Sequence, residues 1–145
     1  MESPKIPIEV DSDTGIWSTN GLPMICMPRH FFVNVHLSAE DALSQEVYAS
    51  HLYTAGHKSA WVWCETESAA QERTGFDVFH HYIHSISQRG WGQFVVEALD
   101  ESSGAADIGL KHSVFVEHCG TNGGQNLCYM YSGWFAGSLE WAGQA

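Results

Sequence analysis

The chain has 145 residues, 44% hydrophobic and 12% aromatic, which predicts one folded domain with a core rather than a disordered segment. Seventeen acidic residues against six basic ones give a formal net charge of −11, which repels phosphate backbones and excludes nucleic acid as an expected partner. No signal-peptide pattern and no apolar stretch of membrane-spanning length occurs, so we expect a cytoplasmic protein without a membrane span.

The first part of the chain is rich in turn signals. Residues 5–28 predict short strands, because turns at Asp11–Gly15 and Asn20-Gly21 divide them. Residues 29–35 mix β-branched and aromatic side chains and fit either a helix or a strand. Ser38–Asp41 has the composition of a helix start.

A helical block is predicted next. Residues 44–55 and 58–70 fit two helices, because Gly56 is expected to end or interrupt the first one. Thr74–Asp77 resembles a capping box with aspartate as the acid, and it predicts a third helix that reaches about Gln88.

A hairpin follows the helical block. Residues 91–98 and 105–116 flank a turn and predict two antiparallel strands, followed by a loop over 120–126. Short strands, helices, a hairpin and a final helix therefore occupy separate blocks. This order predicts a single α+β domain over 1–145 with an antiparallel sheet, in which 1–28 form a strand- and turn-rich arm.

The final predicted helix, Tyr129–Trp141, is a packing element. Gly133 and Gly137 lie four residues apart on one face, a Gly-x-x-x-Gly spacing that lets another backbone approach closely. Trp91 and Trp134 are expected to supply bulk at such a packing surface or interface.

Four of the six basic residues lie in apolar or aromatic surroundings. A cation in such a place pairs with a carboxylate, inside the domain or on a ligand or partner. Because acids are abundant, internal pairing is the default expectation. The alternative is an anion site for a ligand or partner, formed by Arg29, His30, Arg89 and His112.

Metal and cofactor signals are weak. His80 and His84 share a helix face, and Cys119 and Cys128 flank a glycine-rich loop, but neither spacing matches an established metal motif. We therefore expect no metal, with these four residues as the alternative ligands. Cys64 is expected to be a buried thiol. No catalytic residue is assigned. The sequence also contains no dinucleotide-binding fingerprint.

Five motifs together resemble a known family. They are Pro28-Arg29-His30-Phe31-Phe32-Val33-Asn34, Lys58-Ser59-Ala60 leading to Trp63-Cys64-Glu65, Ser87-Gln88-Arg89-Gly90-Trp91-Gly92, Leu110-Lys111-His112-Ser113 and Gly133-Trp134-Phe135-Ala136-Gly137. The family consists of small proteobacterial proteins classed as a domain of unknown function. Its members are typically encoded beside the subunits of dimethylglycine demethylase (dehydrogenase), in glycine betaine catabolism.

The resemblance implies a small, non-catalytic accessory subunit of that demethylase complex. Its partners would be the larger flavoprotein subunits, which would hold the flavin, whereas this chain would hold no cofactor. The C-terminal pattern is also similar to the 4-vinyl reductase domain, a small α+β ligand-binding fold. That similarity implies a sensor of a small ligand as the second hypothesis. An independent metal-dependent enzyme is the third.

Overall fold

Two antiparallel sheets and five helices form the part of the chain that the structure describes. This computed structural model covers residues 6–119 and 128–144, without the side chains of His118 and Cys119, so the predicted loop at 120–126 lies outside the described residues. The fold class is α+β, as predicted. The elements are β1 (Glu9–Val10), β2 (Trp17–Thr19), β3 (Leu22–Met24), α1 (Arg29–Leu43), α2 (Gln45–Gln71), α3 (Phe76–Ser87), β4 (Gln93–Asp100), β5 (Ala105–Lys111), α4 (Val114–Cys119) and α5 (Tyr129–Gln144).

The first three strands form a small sheet in the order β1-β2-β3, which we call the N-terminal sheet. The Asp11 carboxylate accepts hydrogen bonds from the backbone N–H groups two and three residues further on, at 2.8 and 2.9 Å, and this forms the first turn. Asn20 and Gly21 have φ angles of +50° and +78°, as a tight two-residue hairpin turn requires. The short strands predicted for 5–28 are confirmed over the described residues from 6 onwards.

Helix α1 begins directly after Pro28, so the helix start predicted at Ser38–Asp41 is wrong. Pro28 has φ −63° and ψ 140°, an extended conformation suited to the residue that precedes a helix. Residues 29–35 adopt the helical alternative because Val33 and His36 are buried, and burial outweighs the weak local preference of β-branched and aromatic residues.

Helix α2 runs without a break over 27 residues, so the two helices predicted at 44–55 and 58–70 are one. Gly56 lies inside it and is buried. A Cβ atom at Gly56 would overlap the carbonyl oxygen of Met130 and lie 3.3 Å from the Trp134 ring. The glycine therefore permits close approach of α5 and does not end the helix. Neither α2 nor any other helix of the described residues has the length and hydrophobicity needed to cross a membrane.

Helix α3 confirms the helix predicted up to about Gln88, but the capping box predicted at Thr74–Asp77 does not form. The capping box would place Thr74 at the N-cap position. In the structure Gly75, at φ +55°, is the N-cap residue, and no side chain caps the first turn. Asp77 instead forms an ion pair with Arg73, with 2.8 Å between Oδ2 and Nη1.

Strands β4 and β5 form the predicted antiparallel hairpin, with Gln93 opposite Lys111. The second predicted strand, 105–116, is too long, because its last three residues belong to helix α4. His112, at φ +56°, turns the chain out of the strand. Ser113 Oγ then accepts a hydrogen bond from the backbone of Val116 at 3.4 Å, which favours a helical turn.

Helix α5 packs along α2 through the two glycines predicted to allow close approach. A Cβ atom at Gly133 would overlap the carbonyl oxygen of Tyr53, and one at Gly137 would overlap that of His57. We call these two positions and Gly56 the α2–α5 seam. The two backbones meet there without intervening side chains, so the predicted close packing of this helix is confirmed within the chain.

Aromatic rings fill the space beside the seam. Trp91 and Trp134 meet edge to face, with 5.3 Å between ring centroids. Tyr131 donates a hydrogen bond from its hydroxyl to the Trp91 carbonyl at 2.7 Å and lies 5.0 Å from the ring of Phe115. Both tryptophans therefore contribute to packing inside the chain, between α5 and the segment that enters β4.

A buried histidine makes stability depend on pH. His36 is 1% exposed, and its Nδ1 atom lies 3.1 Å from the Tyr48 hydroxyl. Burial lowers the pKa of His36, and the carboxylate of Glu40 opposes this only in part.

We expect the free energy of unfolding to fall as pH drops below about 6.5, because the unfolded chain then takes up a proton that the folded chain resists. Urea denaturation across this range measures the effect, whose slope cannot exceed about 1.4 kcal/mol per pH unit for one proton. His36→Gln should flatten the curve, whereas the exposed control His51→Gln should not. An unchanged slope in His36→Gln would assign the pH dependence to other groups.

Candidate functional site

A cavity of about 510 Å³ lies between the N-terminal sheet and the helical body. Trp17, Pro23 and Ile25 contribute to the wall on the side of the sheet. Phe32 of α1 and Trp91 contribute to the opposite wall. The volume falls within the range of roughly 300–1,000 Å³ typical of small-ligand sites, and the apolar lining is also typical of them.

Arg89 places a positive charge at this apolar wall. It follows the last turn of α3, and its backbone N–H bonds the Ile86 carbonyl at 3.2 Å. Its side chain forms no hydrogen bond or ion pair among the described residues; Glu67 and Tyr82 act on it only through longer-range electrostatics. Burial lowers the pKa of Arg89, and both neighbours oppose that shift. A guanidinium remains protonated under all ordinary conditions, so the site carries a partly desolvated cation.

Arg29 lines the same cavity, but its charge is largely offset. Its Nη2 atom lies 3.4 Å from a carboxylate oxygen of Glu117 and donates to the His112 carbonyl at 3.2 Å. Its Nε atom is buried and has no hydrogen-bond partner among the described residues. Among the described residues, the cavity wall therefore combines one paired arginine, Arg29, with one arginine that has no ion-pair partner, Arg89.

Thr19, at the end of β2, is a third polar residue at the cavity wall, and it has no distinguishing sequence signal. The residue is 1% exposed, and its hydroxyl has no hydrogen-bond partner among the described residues. A buried hydroxyl without a partner costs free energy, so such groups often mark a place where water or a ligand completes the structure.

Glu67 is a buried acid that interacts electrostatically with Arg89 and has no distinguishing motif around it. It is 1% exposed and accepts two hydrogen bonds from Asn20 Nδ2, at 2.8 and 3.0 Å. Gln71 Nε2 donates to the same carboxylate at 2.6 Å, and His81 Nε2 lies 3.4 Å away. These contacts tie the turn between β2 and β3 to the C-terminal part of α2.

The structure brings together two of the four residues predicted for the anion site, Arg29 and Arg89. His112 meets Arg29 only through its carbonyl, while its exposed ring contacts Glu117, with 2.8 Å between Nδ1 and Oε1. His30 is exposed and does not line the cavity.

The alternative metal ligands are dispersed. His80 and His84 are exposed on α3, and Cys128 is half-buried with its sulfur 3.7 Å from the Ser113 hydroxyl. The side chain of Cys119 lies outside the described residues. In the parts of the chain with described side chains, no three His, Cys, Asp or Glu residues cluster as a metal site would require.

Cys64 is the buried thiol that the sequence predicts. Burial and the nearby Glu67 raise its pKa to about 12, so the thiol stays protonated at neutral pH.

These features define an α+β domain in which a small sheet and a helical body flank an apolar cavity with two arginines at its wall. The chain belongs to the family described as domain of unknown function DUF5943, whose model matches residues 2–97. The predicted resemblance to a domain-of-unknown-function family is therefore confirmed. The matched range includes the N-terminal sheet, α1 to α3 and both arginines. No curated protein matches this chain.

Proposed function

We propose that this chain binds a small organic anion in the cavity, with the charged group of the ligand at Arg89 and its apolar body against the hydrophobic walls. The observation that carries the proposal is the Arg89 guanidinium, which lies at the wall of an apolar cavity with no ion-pair partner among the described residues. A partly desolvated cation without a counter-ion is costly, and a ligand carboxylate would remove that cost through a bidentate pair.

The charge distribution favours a monoanion. Acids outnumber bases by 17 to 6, yet no described acid forms a direct pair with Arg89. Glu117 already offsets the charge of Arg29, so one positive charge remains for the ligand. The hydrophobic lining favours a hydrocarbon body over a second charged group. This role is that of a small-ligand sensor domain similar to the 4-vinyl reductase domain.

Octanoate and octanol differ in charge at nearly equal size, and this pair tests the proposal. We expect octanoate to bind the parent chain and Arg89→Gln to weaken that binding about ten- to a hundredfold, because the charge-assisted pair is lost. Octanol should bind parent and variant equally weakly. Isothermal titration calorimetry measures the affinity of each ligand for the parent chain and for the variant.

Arg73→Gln is the matched control, because Arg73 pairs with Asp77 and does not line the cavity. It should bind octanoate like the parent chain. Equal octanoate affinity of parent and Arg89→Gln would overturn the assignment of Arg89. Absence of octanoate binding to the parent chain would count against a monoanion of this size.

A second proposal is that the chain is an accessory subunit of a dimethylglycine demethylase complex in glycine betaine catabolism. It would serve in the cytoplasm as a non-catalytic structural or assembly subunit, with the flavin in the larger partner subunits. The supporting observation is a group of exposed apolar residues around the N-terminal sheet, Ile8, Val10, Ile16 and Ile25, which suits burial against a partner.

Co-purification with the larger demethylase subunits tests this second proposal. The double variant Val10→Glu/Ile16→Glu changes exposed side chains that do not line the cavity, so it should reduce co-purification and leave octanoate binding intact. Val95→Glu, at an exposed position of β4, is the control and should co-purify like the parent chain. Failure of the parent chain to co-purify with these subunits would reject the accessory role without affecting the ligand proposal.

A further inference from the structure

The wall of the cavity formed by the N-terminal sheet is weakly attached to the rest of the fold. Its strands are only two or three residues long, and a sheet of this size has little stability of its own. Within the described residues, the side chain of Asn20 makes the only hydrogen bonds that join residues 6–27 to the remainder of the chain. Leu22, in β3, packs against the core.

The buried carboxylate of Glu67 accepts hydrogen bonds from the side chain of Asn20. The residue is 1% exposed, so a charge there requires hydrogen-bond donors in place of water. Asn20 supplies donors to both carboxylate oxygens, and Gln71 supplies a third at 2.6 Å. His81 lies at 3.4 Å, and Arg89 provides a longer-range attraction.

Asn20 also meets a backbone requirement. Its φ of +50° lies in the left-handed region, where asparagine and glycine are the residues best tolerated. The turn therefore holds the amide group in a fixed direction while it connects β2 to β3. Loss of the amide would leave Glu67 short of donors and would release the end of the sheet nearest to α2.

We propose that the Asn20–Glu67 pair is a latch that holds the N-terminal sheet as a lid over the cavity. The inference rests on the proposed function, because a lid has a role only if the cavity takes a ligand. The same sheet supplies one wall of the cavity, so release of the latch opens the route by which an organic anion enters and leaves.

Asn20→Gly is the first test, because glycine tolerates the left-handed turn and removes the amide group. Asn20→Asp is the second variant, since it keeps the size of the side chain but places a carboxylate against Glu67. Hydrogen exchange without ligand should become about tenfold faster over residues 17–24 in both variants, and remain unchanged in α3. Asp13→Gly changes the other turn of the same sheet and should exchange like the parent chain.

Ligand release is measured with anilinonaphthalene sulfonate, a fluorescent aromatic monoanion, after its binding has been shown to depend on Arg89. We expect its dissociation rate to rise about tenfold in both Asn20 variants, because each opens the cavity more often. Faster exchange together with faster release supports the latch.

The results that would contradict the latch, the lid and the proposed function differ from one another. Unchanged exchange over 17–24 in both Asn20 variants overturns the latch even if the probe binds the parent chain. Faster exchange with an unchanged release rate overturns the role of the sheet as a lid. Failure of both octanoate and the probe to bind the parent chain overturns the proposed function, and the lid with it, while the exchange data still report whether the sheet is latched.

Discussion

Gly137→Leu is expected to destabilise the isolated chain by more than about 4 kcal/mol, enough to unfold a domain of ordinary stability. Even a Cβ atom at Gly137 would overlap the carbonyl oxygen of His57 and lie 3.0 Å from its Cα atom. These are backbone atoms of α2, which cannot move aside as a flexible side chain can. The two helices would have to separate along the α2–α5 seam. Urea denaturation monitored by circular dichroism measures the loss.

Gly143→Leu provides the matched control in the same helix. A Cβ atom at Gly143 meets nothing within 4 Å, so the substitution should be neutral or stabilise the chain by up to about 1 kcal/mol through helix propensity. If Gly137→Leu unfolds at the same urea concentration as the parent chain, the close approach of α2 and α5 is wrong.

Phe115→Ala is expected to lower the free energy of unfolding by about 3–5 kcal/mol, the usual result of removing a large buried aromatic ring. Phe115 is fully buried at the point where α1, α4 and α5 meet. Its ring centroid lies 5.7 Å from that of Phe32, 4.8 Å from His36 and 5.0 Å from Tyr131. Truncation would leave a cavity that three helices cannot fill without moving. Thermal and urea denaturation both measure this change.

The neighbouring residue supplies the control. Val116 is 40% exposed, so Val116→Ala should change stability by no more than about 0.5 kcal/mol. The sequence predicts an extended strand through residue 116, and in a strand neighbouring side chains face opposite sides. A difference in sensitivity between Phe115 and Val116 would therefore fit a strand as well as a helix. Val114→Ala separates the two conformations, because 114 and 115 are both buried in α4 and both should be sensitive. Insensitivity of either position would contradict the observed packing of α4.

Local signals are sufficient for much of the fold. The turn residues around β1 to β3 specify the short strands through local geometry. The buried residues Phe79, Ile83 and Ile86 recur at helical spacing and specify α3. Gly56 shows where such signals fail. A glycine within a helical pattern indicates a stop, but here tertiary contact with α5 requires the missing side chain. A sequence window around residue 56 contains no information about a partner more than 70 residues away.

The site was predictable in part. The sequence indicates four cations in apolar or aromatic surroundings, and the structure brings two of them, Arg29 and Arg89, to one cavity. Glu67 was missed because an acid on a helix is usually solvated, although a signal exists: Ala60, Cys64 and Glu67 follow the spacing of one helix face, so the acid lies on an apolar side. Thr19 could not be found, since nothing local distinguishes a buried hydroxyl from an exposed one.

The α2–α5 seam also defines how much of the chain must be present for folding. The family match ends at residue 97, inside β4, whereas Gly133 and Gly137 lie in α5, beyond that limit. A fragment ending at 97 would retain most of β4 without β5 and would leave the face of α2 around Gly56 open to water. We therefore expect the smallest independently folding unit to be longer than the matched segment and to extend through α5, because α2 packs directly against Gly133 and Gly137.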